Sequence, residues 1–335
     1  MAMEITVRNI NDALPTGLSY LNEEGVPESS RYGDVLVYPE PFTTVYVRPT
    51  ERVLFSPTRN ANPWFHLLGD ALWLLAGRND IEWPCYFNAR FKEFSDDGII
   101  APGAYGFRWR EYFGVDQLEM VVTELIKNRN SRRAVLQMWH PEDFSRLLSQ
   151  NGTRDAPCNV AIFFDCRNDA LNMTVLCRSN DVWWGAYGAN VVQFSVLQEL
   201  LASWIGVPVG YYRQLSNNFH LYTNIVTPEI MDAVLAEEFS VEYPEAYPLV
   251  KTSAPGFLSD LEMFMQEPLQ GGVSWGESFF PAVAVPMFAA WKQRKEKQGD
   301  GLLLAQQIEA LDWRKACVEW IERAEARRDA KEEAQ

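Results

Sequence analysis

Histidine is scarce, cysteine pairs are missing and positive charge falls short of negative. Each deficit excludes something. The three histidines (His66, His140, His220) show no metal-ligand spacing, and the five cysteines, at 85, 158, 166, 177 and 317, contain no CxxC pair. Neither a zinc site nor a disulfide framework is supported, and no metal is expected. Lys and Arg number 30 against 45 Asp and Glu, a net charge of −15. Binding a long nucleic-acid backbone depends on displacing counterions with Lys and Arg, so DNA and RNA are not expected partners. One small phosphate met by a few convergent arginines remains compatible with that balance. No apolar run reaches the roughly 18 residues of a membrane span. The start, MAMEITVRNINDALP, lacks the basic opening and apolar core of a signal peptide. These absences together predict a reduced, cytoplasmic protein without membrane contact.

What is abundant is apolar. Hydrophobic residues make up 47% and aromatic residues 13% of the chain, ample for a sizeable core. No repeat, linker or compositional boundary divides it, so residues 1–335 are read as one domain with a C-terminal helical extension from about 290. VLVYPEPFTTVYVRPTERVLF (35–55) reads as strand material broken by prolines. NPWFHLLGDALWLLAG (62–77) predicts a buried helix opened by Asn62-Pro63 and stopped by Gly77. A helix is predicted over 116–127, a strand in RRAVLQMW, and a short helix after Pro141. VAIFFDC and LNMTVLC predict two strands joined by the polar turn RNDA. NVVQFSVLQELLASW (190–204) carries apolar residues at 191, 194, 197, 201 and 204, the spacing of a long core helix opened by Asn190. An amphipathic helix is predicted from 302 onward. Strands and helices mix without strict βαβ alternation, which predicts the α+β class with a mixed sheet.

Four segments hold polar residues where a purely structural chain gains nothing from them. In APCN, Cys158 stands where a loop enters a strand. A nucleophilic cysteine needs thiolate character from nearby cations, yet a free cysteine is more often structural. In CRSND (177–181), Arg178 and Ser179 offer a guanidinium fork and a hydroxyl to a phosphate; the alternative is a solvated strand end. In NSRRA (130–134), adjacent arginines entering a strand point to opposite faces, so one must meet a partner or ligand. In NNFHLY (217–222), His220 and Tyr222 share one face of an extended segment and can both bond a hydroxyl, or each other's surroundings in a core.

In their order, these segments resemble the thymidylate synthase superfamily. The family pattern is an Arg-Arg pair, a Pro-Cys before a strand, Arg-Ser-x-Asp, an Asn opening a long apolar helix, and His-x-Tyr. Here they read Arg132-Arg133, Pro157-Cys158, Arg178-Ser179-Asn180-Asp181, Asn190 and His220-Leu221-Tyr222. Upstream, DALWLLAG (70–77) is similar to the family's Trp-containing helix and AYGFRWR (104–110) to its Tyr-Gly-x-x-Trp-Arg segment. The motif core spans 28–224, and residues 225–335 match nothing in the pattern. The resemblance implies a three-layer α+β fold, a mixed twisted sheet packed by long helices, with extra C-terminal helices.

It also implies chemistry and roles. The family's thiolate attacks C6 of a pyrimidine nucleoside monophosphate, and C5 then takes the one-carbon unit of 5,10-methylenetetrahydrofolate. By resemblance, Cys158 is the nucleophile. Arg178 and Ser179 hold the 5′-phosphate, joined by the mobile Arg31 and by Arg132 and Arg133 from the second subunit of a homodimer. His220 and Tyr222 bond the sugar, and Asn190 reads the base. Asp181 and Phe91 face the folate, and Asp70 and Tyr105 belong to the proton network. Asn190 follows a loop, VWWGAYGA, one residue longer than the pattern. Its amide suits uracil, where an Asp suits cytosine's amino group, although a flipped amide serves cytosine too.

Three departures bear on the product. Asp70 replaces a Glu. Phe91 and Phe94 replace tryptophans that wall the folate side; a smaller wall would admit water in place of hydride, the alternative being that Phe still fills the space. AVAVPM (282–287), similar to the family's terminal apolar tail, is internal. The reading is therefore hydroxymethylation of dUMP, with reductive methylation to thymidylate as the alternative and dCMP or CMP hydroxymethylation third. Such divergent members resemble enzymes of phages with modified DNA, which would place this one in a host cytoplasm, and of nucleoside-antibiotic pathways. Outside the class stands an inactive nucleotide-binding homologue, against which Cys158, Arg178 and His220 all speak.

Overall fold

The computed structural model describes residues 3–150, 152–238, 242–297 and 299–333. Strand β1 (Met3–Val7) leads through a helix, Ile10–Glu24, to β2 (Val26–Ser30), β3 (Gly33–Val37) and β4 (Phe42–Tyr46). Pro39 and Pro41 separate β3 from β4, because proline removes the backbone donors a continuous strand would use. Then come β5 (Val135–Gln137), β6 (Asn159–Asp165), β7 (Leu171–Cys177), β8 (Asn180–Asp181), β9 (Val209–Ser216) and β10 (Phe219–Tyr222). Among the described residues they form two sheets, a six-stranded one ordered β1-β4-β9-β7-β6-β5 and a four-stranded one ordered β2-β3-β10-β8. Both mix parallel and antiparallel pairs, the α+β arrangement the sequence predicts.

The helix Asn190–Ile205 lies against β7 and β9, and every residue from Asn190 to Ala202 is buried. Its polar side chains are satisfied inside: Gln198 donates to the carbonyls of Leu171 (2.8 Å) and Tyr211 (3.0 Å), and Glu199 pairs with Arg52 and accepts from Leu249 N at 2.7 Å. The predicted 62–77 helix is present, but its first part, Phe65–Ala71, is a π-helix that continues as the α-helix Leu72–Leu75. Gly77, at φ +71°, ends it in a conformation that favours glycine. Such π-segments recur at functional sites, and this one carries Asp70.

Two sequence expectations need correction. RRAVLQMW does not form a strand from its first residue. Ser131 Oγ donates to Glu124 and accepts from Arg133 N, a local turn that holds Arg132 and Arg133 out of the ladder. Both arginines are exposed instead of on opposite faces, and Arg133 pairs with Glu124 at 3.2 Å. The tail is also not one helix from 302. It divides into Gly301–Ala305 and Leu311–Glu333, because the chain between them turns inward to bury Ile308 and to bond Glu309 N to Ala282 O at 2.9 Å. These helices are stapled to the core through Trp291 and Trp320, which lie 5.5 and 5.4 Å from the ring of Trp64. One apolar cluster runs from Ile5 to Ile321.

The segment carrying Tyr105 is fixed by a buried ion pair. Arg108 meets Asp143 through two bonds of 2.7 and 2.8 Å and donates to the carbonyls of Met138 and Pro102. Both partners are sealed from solvent, so removing one leaves the other charged and unsatisfied. Asp143→Ala is expected to lower unfolding free energy by about 3–5 kcal/mol, read from denaturant midpoints. A loss below about 1 kcal/mol, the range of an exposed pair, would show that this pair does not anchor the segment.

Candidate active site

The β6–β7 hairpin positions the thiol. Its register pairs Asn159 with Cys177, so the residues just outside the ladder, Cys158 and Arg178, stand side by side, with Arg178 N donating to Cys158 O at 2.8 Å. The Arg178 guanidinium then clasps the loop: Nε donates to Pro157 O at 2.9 Å and Nη2 to Ala156 O at 3.2 Å, with Nη2 3.9 Å from Cys158 Sγ. Trp139 supports it from below, its ring centre 5.3 Å away. Burial pushes the Cys158 thiol up, the cation of Arg178 pulls it down, and the carboxyls of Asp155 and Asp181 push it up again. Ser179 follows, half-buried, its hydroxyl without a hydrogen bond among the described residues.

Of the other predicted residues, Tyr105, Asp181 and Tyr222 stand close enough to the thiol to interact with it electrostatically. Tyr105 stacks on Phe194 at 6.1 Å, and its phenol is held well above the ordinary range by burial and by the neighbouring thiol. Asn190 is buried and donates through Nδ2 to Asn180 Oδ1 at 3.2 Å, and Asn180 donates to Ser216 Oγ at 3.1 Å. Gly185 packs against this pair, where a Cβ would stand 2.6 Å from Asn180 Oδ1 and push it aside. His220 and Tyr222 alternate on β10 and so share a face, their rings 5.3 Å apart. Burial pulls the His220 imidazole down against the opposing pull of the Asn218 backbone, and its Nδ1 is enclosed without a partner among the described residues. Asp181 accepts from Trp184 N at 2.6 Å, while its Oδ2 is buried and unpaired. Burial pushes the Asp181 carboxyl up to about 6. Phe91 sits edge-on to Trp73 at 5.5 Å with Phe94 beside it. Asp70 is enclosed and accepts from Gln193 Nε2 at 2.7 Å; burial pushes it up to about 7 against the pull of that bond.

Three predicted residues stand apart from the thiol. Arg31 is exposed at the tip of the β2–β3 hairpin, its guanidinium on the hydroxyl of Tyr32 and 4.4 Å from that ring's centre. The pairing of Tyr222 with Val35 carries that tip past the His220–Tyr222 face. Arg132 and Arg133 precede Ala134, whose carbonyl accepts from Phe164 N at the far end of β6. Six residues of strand separate Phe164 from Cys158, on the order of 20 Å. Arg132 and Arg133 therefore cannot reach Arg178 and Ser179 of their own chain.

Sequence reasoning missed several residues that build the site. Asn180 occupies the unassigned position of Arg-Ser-x-Asp. Arg59 donates to Trp183 O at 2.8 Å beside Asp181. His66, next to it, is pushed down to about 3 by burial and by Arg59. Asn159 accepts from Cys177 Sγ at 2.7 Å. Asn180 and Asn159 lay inside segments already singled out, whereas Arg59 and His66 left no signal. Among the described residues, no three His, Cys, Asp or Glu side chains gather as metal ligands, and no helix is long and apolar enough to cross a membrane.

The structure thus presents a paired thiol and guanidinium, a buried amide, a His-Tyr face and an enclosed carboxyl. The chain belongs to the thymidylate synthase family: that family's model matches residues 54–246. The relatives sharpen this. It is 43% identical to a deoxyuridylate hydroxymethyltransferase of Pseudomonas phage M6, over 98% of this chain and 96% of that protein. It is 35% identical to the enzyme of the same name from Bacillus phage SP01, over 61% of this chain and 55% of that protein. The crystal structure of thymidylate synthase from T4 phage shares the fold, with a TM-score of 0.57 at 19% identity, covering 74% of this chain and 91% of that one.

The buried acid on the π-helix makes a measurable prediction. An unfolded Asp ionises near 3.8, whereas Asp70 in the folded chain ionises near 7. The folded state therefore holds an extra proton between those values, and the stability this contributes, full below the lower one, is lost as pH rises through the upper one. Asp70→Asn is expected to flatten the decline of the denaturation midpoint across that window. Identical slopes for variant and parent would show that Asp70 is not a neutral buried acid.

Proposed function

We propose that the protein transfers a one-carbon unit from 5,10-methylenetetrahydrofolate to C5 of dUMP and completes the reaction with water, giving 5-hydroxymethyl-dUMP. The carrying observation is Cys158 clasped by Arg178 in a chain related along nearly its full length to a phage deoxyuridylate hydroxymethyltransferase. Cys158 adds to C6 of the pyrimidine, and Arg178 and Ser179 hold the 5′-phosphate, with Arg31 at the hairpin tip closing over it. A phosphate takes up the free edge of the guanidinium while its Nε stays on the loop carbonyl. His220 and Tyr222 bond the sugar hydroxyl. Asn190 has Nδ2 engaged by Asn180, leaving Oδ1 to accept N3–H of uracil and the second amide hydrogen for O4.

The folate supplies the one-carbon unit at the oxidation level of formaldehyde. The residues present fit it: Asp181 offers a buried unpaired oxygen to pterin donors, and Phe91 an aromatic wall. Asp70 and Tyr105 hold protons around the base. With Phe91 and the exposed Phe94 in the wall, the folate side is less sealed against water, which favours hydration over hydride transfer. We place the whole chain in one catalytic unit, with motif core 28–224 and the C-terminal helices as packing. With phage relatives, it works in a host cytoplasm.

The working form is a homodimer joined through the outer face of the six-stranded sheet. Alternation along β5 and β6 puts Val135 and Phe163 on the face away from the helices, paired in register and 41% and 43% exposed. Pairing two such faces would cover that apolar surface and carry Arg132 and Arg133 to the partner's phosphate.

Incubation with dUMP and methylenetetrahydrofolate is expected to yield a nucleotide heavier by formaldehyde with no rise in dihydrofolate absorbance. Such a rise, with thymidylate as product, would replace hydroxymethylation by methylation. For the shared site, inactive Cys158→Ser and Arg133→Ala subunits should regain activity when mixed, since a hybrid holds one intact thiol facing one intact Arg133. A mixture as inactive as its components would remove Arg133 from the partner's site.

A further inference from the structure

One carboxyl of the site has no place in the motif pattern. Asp155 stands three residues before the nucleophile, on the loop that delivers it. Its Oδ2 accepts from Gly103 N at 2.7 Å, and the carboxyl packs so closely there that a Cβ on Gly103 would lie 2.7 Å from both oxygens. Gly103 leads into Tyr105, so Asp155 joins the loop of the thiol to the segment of the tyrosine. Thr153 fixes the loop, donating to Asp96 Oδ2 at 2.6 Å and to Asp155 O at 3.1 Å. Oδ1 makes no hydrogen bond among the described residues, and Asp155 as a whole is only partly buried. Its charge is felt by both Cys158 and Tyr105.

A carboxylate in this position opposes formation of the thiolate. A site that required only the nucleophile would gain nothing from it. Burial pushes Asp155 up to about 6; the Gly103 amide and Arg108 pull it down, and Asp96 and Asp143 push it up. It is therefore mostly ionised at neutral pH yet basic enough to take a proton. Asp70, the enclosed acid of the proton network, is 3% exposed and tied to Gln193, so it is poorly placed to meet an incoming water.

We propose that Asp155 is the base that activates the water completing the reaction, with its free Oδ1 accepting the proton beside the Cys158-bound nucleotide. The inference rests on the hydroxymethylase reading above. Before this step the nucleotide carries an exocyclic methylene at C5 and a bond from C6 to Cys158. One O–H bond of water breaks, its proton going to Asp155, and oxygen bonds to the methylene carbon. The π electrons move to O4 as an enolate. The enolate then re-forms C5=C6 and breaks the C6–S bond, releasing Cys158 as thiolate, which recovers the proton from Asp155. Nothing is oxidised or reduced.

The test separates this step from those before it. Asp155→Asn keeps the size and the acceptor for Gly103 but is not a base. With dUMP tritiated at C5 and methylenetetrahydrofolate, tritium release should stay near the parent's first-turnover level. Hydroxymethyl product should fall by about a hundredfold or more, the contribution of a general base. Protein mass should show accumulated enzyme–nucleotide adduct carrying the methylene. Asp155→Glu, which restores a carboxylate, should recover product. Undiminished product in Asp155→Asn, or product and tritium release falling together without adduct, would overturn the proposal. Should Asp155→Asn fail to fold, Asp155→Glu decides, since a purely structural role predicts equal loss of both readouts there. Thymidylate from the parent protein would instead defeat the hydroxymethylase reading itself.

Discussion

The site depends on one contact, the guanidinium of Arg178 laid across the carbonyls of Ala156 and Pro157. A loop entering a strand ordinarily leaves such carbonyls to water. Here a cation takes them, so the loop and the end of β7 are locked together and the thiol has one place to stand. The same group is the nearest positive charge to Cys158. One side chain thus sets the thiol's position and offsets part of the desolvation that burial imposes on its charged form. Arg178 can do both because the β6–β7 register, shifted between Asn159 and Ala161, brings it opposite Cys158.

Three acids of the candidate site are held near neutrality. Asp70 is pushed up to about 7, and Asp155 and Asp181 to about 6, burial being the first cause in each. Carboxyls poised near neutrality are suited to both giving and taking protons. They also work against the thiolate: Asp155 and Asp181 both raise the Cys158 thiol.

Much of this was legible in the sequence, and the failures have a common cause. The polar turn RNDA between two apolar runs gives the hairpin, but a register shift between Asn159 and Ala161 sets Cys158 beside Arg178, which counting back from the turn does not give. The apolar spacing after Asn190 gives the helix that buries it. What escaped were residues whose partners come from distant segments. Asp155 meets Gly103, Asn180 meets Ser216 and Arg59 meets Trp183, and no local period or spacing records such meetings. The paired arginines failed differently. Strand periodicity was applied to them, but Ser131 and Glu124 hold them in a turn before the ladder begins, a side-chain bond that overrides propensity.

The last constraint concerns how the site closes. AVAVPM, similar to a terminal tail, lies in the interior: Val283, Ala284 and Met287 are buried and Met287 O accepts from Trp64 Nε1 at 2.8 Å. Trp64 also meets Trp291 and Trp320, so moving this segment would expose the aromatic junction that holds the C-terminal helices. A segment so committed is core and cannot fold over a ligand. A chemistry that must exclude water until hydride arrives depends on a complete seal, whereas one that ends with water needs the site to admit it. The fixed tail, the Phe91–Phe94 wall and a free carboxylate oxygen on Asp155 are three separate features of this chain, and each is better suited to the second chemistry than to the first.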